Sequence, residues 1–65
     1  MSIEEKIITL LQFGNTSIDE IFRYCLPAMQ STVSRKLRGL ESKGKIIYTQ
    51  LGKNHSKIAY KLRGI

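Results

Sequence analysis

The chain has 65 residues, 42% of them hydrophobic and 25% charged, with a formal net charge of +6 at pH 7. That length holds one domain, residues 1–65, of modest stability, since a chain this short hides only about 60% of the surface its unfolded form exposes; pairing with a second copy would help. The composition excludes a disordered or fibrous chain, no apolar run approaches the ~18 residues that span a bilayer, and Cys25, the one cysteine, has no partner for an internal disulfide.

The charge is unevenly placed. Residues 1–30 carry Lys6 and Arg23 against Glu4, Glu5, Asp19 and Glu20, a net of −2, whereas residues 31–65 carry nine basic residues against Glu41 alone, a net of +8. A field divided in this way favours a polyanion approaching from one side, which for a cytoplasmic protein means nucleic acid more often than not. The competing reading is a solvated basic surface. The start, Met1-Ser-Ile-Glu-Glu5, lacks the basic region of a secretory signal, so a cytoplasmic location is expected.

Ser2 and Glu5 have capping-box spacing, which predicts a first helix from Ile3 to about Phe13 with Ile3, Ile7, Leu10 and Leu11 as its buried stripe. Gly14 and Asn15 tolerate positive φ and end it. Ser17 and Glu20 repeat the spacing, predicting a short second helix over Ile18 to Tyr24 that buries Ile18, Ile21, Phe22 and Cys25. Cys25 is accordingly a small core residue rather than a reactive thiol. Pro27 disfavours helix in the residue before it and fits the first turn of a new one. The link between the second and third helices is therefore a tight turn that makes them cross steeply.

The third helix is expected from Ala28 to Lys43, stopped by Gly44. Met29, Val33, Leu37 and Leu40 fall on one face and want a core, while Ser31, Ser34, Arg35 and Arg38 fall on the opposite one. Beyond Gly44, Lys45–Gln50 and Lys57–Leu62 have the β-branched and aromatic content of strands. In the second, Ile58, Tyr60 and Leu62 should face inward and Lys57, Ala59 and Lys61 outward. Leu51 to Ser56 reads as a polar hairpin loop. An isolated hairpin is unstable, so its apolar face must lie on the helices.

The run Ser31, Thr32, Val33, Arg35, Leu37, Leu40, Glu41, Gly44 and Ile46 resembles the recognition helix and following strand of winged helix-turn-helix regulators of the MarR and ArsR kind, and Tyr60-Lys-Leu62 looks like their closing strand. The likeness runs from about Ile3 to Leu62 and implies an α+β fold of three helices followed by a two-stranded hairpin wing. It further implies a third helix that enters the major groove of double-stranded DNA and a wing on the backbone or in the minor groove. The sequence departs from larger family members in lacking their long flanking helices, the usual dimerisation and effector-binding parts, so ligand or metal sensing does not carry over and no small-molecule ligand is identifiable from it.

The side chains suited to that work can be named. Arg35 and Arg38 can each donate two parallel hydrogen bonds to guanine. Ser31, Thr32 and Ser34 have short hydroxyls suited to phosphates or close base edges, and Gln30, at the border of the buried face, could pair with adenine. Lys53 and Lys57 suit backbone phosphates, with Asn54 or His55 able to enter the minor groove. His55 has no second ligand at metal spacing, and neither a phosphate loop nor a nucleophile with its base is present, so no metal, cofactor or enzymatic activity is expected. The expected function is a sequence-specific regulator of transcription that binds DNA as a homodimer, with Ile3, Ile8, Phe13 and Ile65 as apolar interface candidates. A non-specific architectural DNA binder and a protein-interaction module of a replication or transcription assembly are the alternatives.

Overall fold

The computed structural model describes residues 2–55 and 57–63, with the side chain of His55 outside that description. The elements run α1 (Ile3–Leu11), β1 (Thr16–Ser17), α2 (Ile18–Tyr24), α3 (Gln30–Ser42), β2 (Ile46–Leu51) and β3 (Lys57–Leu62), with one 3-10 turn at Lys53–His55. The strands form one antiparallel sheet in the order β1-β3-β2.

Both predicted caps form. The Ser2 hydroxyl accepts from the Glu5 amide at 3.2 Å and donates to the Glu5 carboxylate at 3.3 Å, and the Ser17 hydroxyl accepts from the Glu20 amide at 3.4 Å. Acidic residues fill the first turn of each helix, Glu4 and Glu5 in α1 and Asp19 and Glu20 in α2, where the helix dipole favours negative charge. α1 stops at Leu11, two residues short of Phe13, which is left 86% exposed.

The expected two-stranded hairpin gains a third strand. Thr16 pairs with Tyr60 and Ser17 with Ala59, so Ser17 ends a strand and caps a helix at once. Thr16 is buried because its hydroxyl finds an acceptor in the Gly14 carbonyl at 3.1 Å. The extra strand puts β3 in the middle of the sheet, and the side-chain alternation along β3 is kept. Ala59, expected outward, is fully buried between Ser17 and Thr49; Ile58 keeps its expected face beside Tyr60, toward α3, but lies near the wing tip opposite Gln50 and is 45% exposed.

α3 begins at Gln30, later than expected. Pro27 sits in the connecting turn, with a cis bond from Leu26, and Met29 is an extended N-cap (φ −72, ψ 149) that makes no side-chain cap bond. A residue outside the helical register does not share the helix's buried face, and Met29 is 71% exposed. At the other end the Lys45 amide donates to the Leu40 carbonyl at 3.0 Å and the Gly44 amide to the Glu41 carbonyl at 2.9 Å, the paired bonds of a Schellman stop. Gly44 has φ +75, a backbone conformation that calls for glycine.

Ile7, Leu11, Ile21, Cys25, Val33, Leu37, Leu40, Ile46 and Tyr60 make one core drawn from every helix and from the hairpin. Each such aliphatic side chain contributes about 1.5–3 kcal/mol on burial, and α3, through Val33, Leu37 and Leu40, is held along its length. Among the described residues no helix is long and apolar enough to cross a membrane.

Candidate nucleic-acid interface

With Val33, Leu37 and Leu40 buried, the rest of α3 divides by helical geometry into an outward stripe and two flanks. Ser31, Arg35 and Arg38 make the stripe, at spacings of four and three, and all are exposed. Neither arginine has a carboxylate within ion-pair distance among the described residues, so their donors face solvent.

One flank faces α1. Lys36 and Lys43 both reach the Glu4 carboxylate, at 4.0 and 3.8 Å. Thr32 precedes Lys36 by one turn and is half-buried on this same flank, apart from the stripe. The other flank faces the wing, across a cleft of about 200 Å³ lined by Ile18, Ser34, Leu37, Arg38, Tyr48, Ile58 and Tyr60. The rings of Tyr48 and Tyr60 meet edge to face, 6.1 Å apart at 88°. Burial, with the Glu41 carboxylate and then Tyr48 adding to it, raises the Tyr60 phenol above its ordinary pKa against the opposing pull of Arg38. The phenol is therefore neutral at physiological pH.

The remaining expected contacts are spread more widely. Gln30 is exposed but lines a hollow with Asp19, Phe22, Arg23, Leu26 and Ala28, on the α2 side of the turn. Lys53 and Asn54 are exposed in the 3-10 turn at the wing tip, where Asn54 takes φ 63. Lys57, exposed, opens β3 opposite Leu51. The His55 side chain lies outside the described residues. Glu41, the one acidic residue of the basic half, makes no ion pair among the described residues.

Sequence reasoning missed Tyr48 in the cleft and Glu4 beneath the lysines. Strand alternation with Ile46 gives a signal for Tyr48, but nothing local announces Glu4, which lies far along the chain from Lys36 and Lys43. Cys25 is buried, and that burial pushes its thiol above the ordinary range, with Lys6 opposing. A protonated, enclosed thiol suits packing rather than chemistry.

No family model and no curated protein matches the chain, but solved structures do. The reduced form of the transcriptional regulator YodB from B. subtilis matches with a TM-score of 0.80 at 24% identity, over 91% of this chain and 58% of that one. A cysteine-to-serine mutant of ZitR from Lactococcus lactis matches with a TM-score of 0.82 at 19% identity, over 95% of this chain and 42% of that one. PKZ Zalpha, in a crystal structure of its complex with ds(CG)6, matches with a TM-score of 0.74 at 27% identity, over 95% of each chain. The chain thus spans roughly half the length of the two regulators and nearly all of the Zalpha domain. Taken with the order of its own elements, a short α2, a tight turn, the exposed stripe of α3 and a hairpin standing beside it, these likenesses make the chain a winged helix-turn-helix domain.

Proposed function

We propose that the domain binds double-stranded DNA sequence-specifically and regulates transcription, with α3 in the major groove and the β2–β3 wing on the backbone or in the minor groove. The observation that carries this reading is the stripe of Ser31, Arg35 and Arg38, exposed and, among the described residues, free of carboxylate partners on a helix anchored along its opposite face. Arg35 and Arg38 read base edges by bidentate hydrogen bonds, and Ser31 and Ser34 make short contacts beside them. Gln30 and Thr32 are peripheral to that stripe. Lys53, Lys57 and Asn54, with His55, hold the backbone from the wing.

Two copies bind as a homodimer, placing two α3 helices one DNA turn apart, about 34–36 Å. Of the apolar interface candidates, Ile3 and Ile8 pack partly against the core, Phe13 is the exposed one, and Ile65 lies outside the described residues. Selection from random duplexes at stated salt tests the reading: an enriched inverted repeat is expected, and a return of no enriched sequence counts against it. A second reading, duplex binding without base preference, draws on the Zalpha neighbour, which matches over 95% of its length where the regulators match over about half. Strongly salt-dependent binding with a specificity ratio near one would favour it.

A further inference from the structure

The cleft between α3 and the wing holds a donor that the arginine stripe does not account for. Tyr48 is 44% exposed at the cleft, and its ring is set in place by the edge-to-face contact with Tyr60. Gln50 Nε2 donates to the Tyr48 hydroxyl oxygen at 3.3 Å. With that lone pair taken, the hydroxyl proton is left to point at an acceptor from outside the chain. Around it the cleft offers one cation, Arg38, two further hydroxyls, Ser34 and Tyr60, and the apolar side chain of Ile58, with no carboxylate among the described residues of its lining. An anionic oxygen next to an apolar group fits that set, and a sugar-phosphate backbone supplies both.

We infer that one backbone phosphate of the bound duplex seats at the mouth of this cleft and accepts the Tyr48 hydroxyl proton in the field of Arg38, with its deoxyribose against Ile58. The inference rests on the duplex-binding reading above. It makes Tyr48 a positioning contact that registers the wing on the backbone, distinct from the base-reading stripe.

The test is fluorescence-anisotropy titration of the whole chain, wild type, Y48F and Q50A, on one duplex and its single-base-pair variants over a series of salt concentrations. Y48F should weaken binding about tenfold, the size of one hydrogen bond to a charged acceptor. The factor should be the same for every duplex, and the salt slope should be unchanged because no charge is removed. Its melting temperature should match wild type, since the ring that meets Tyr60 is kept. Q50A should weaken binding in the same sequence-independent way but less, because the hydroxyl is then only less well aimed. Wild-type affinity in Y48F, or a loss confined to variants at one base pair, overturns the inference while leaving duplex binding in place. Absence of duplex binding by wild type removes both, so the wild-type curve alone tells the two failures apart.

Discussion

The two flanks of α3 carry the same kind of residue to opposite ends. On the α1 flank Lys36 and Lys43 converge on Glu4, and their charge is partly answered within the fold. Along the outward stripe and toward the wing, Arg35 and Arg38 meet no carboxylate among the described residues, and Arg38 shares a cleft with hydroxyls and an apolar wall. A net charge of +6 does not distinguish the two. What separates them is which element each flank looks at: an acidic first turn on one side, a basic hairpin on the other. Solvated cations suit attraction of a polyanion, and cations fixed against Glu4 suit docking of one helix on another.

The largest expected effect removes the face that both flanks depend on. Leu37 is buried at the centre of α3's inner face and reaches the floor of the cleft. Leu37→Ala should cost about 2–5 kcal/mol of stability, a large share of the total for so small a domain. Chemical denaturation should show the loss, and duplex binding should fall with it at temperatures where the wild type is folded. Arg35→Ala and Arg38→Ala come next. Each should cost about 1–3 kcal/mol of binding at particular base pairs while leaving the melting curve unchanged. Equal losses on every sequence would demote the stripe to a backbone contact. Smaller again is Lys57→Ala, which should weaken all duplexes alike and lower the salt slope by about one.

These contrasts also mark where the sequence is readable. The Ser2 and Ser17 caps and the Gly44 stop are local signals, and they place the start of α1, the whole of α2 and the end of α3. β1 escapes such reading because two residues are too few to show a period and Ser17 already has a role as a cap. The burial of Ala59 follows from that omission: at the edge of a two-stranded hairpin it would have only Thr49 beside it, and β1 sets Ser17 on its other side. Met29 departs from its expected place because the turn runs two residues beyond Pro27 before the helix begins. For the interface, the 3.6-residue period is enough to put Arg35 and Arg38 outside. The period carries no information on which flank meets Glu4 or on Tyr48 standing across from Arg38, since both depend on how α1 and the hairpin pack against α3.

The smallest expected effect addresses the α1 flank directly. Glu4, Lys36 and Lys43 keep side-chain exposures of 37%, 45% and 62%, so water screens their attraction, and exposed pairs of this kind are worth about 0–1 kcal/mol. Glu4→Gln removes both interactions without changing the shape of α1. The melting temperature should fall by a few degrees at most at low salt, and the difference should vanish near 1 M salt, where the screening length is about 3 Å. Base preference should be untouched, because the released ammonium groups lie on the flank away from the wing. General affinity at low salt should rise slightly, since one negative charge is gone and two lysines are freed. A change in base preference would break the comparison, because it would mean that the α1 flank belongs to the surface that reads the duplex and that Glu4 restrains it.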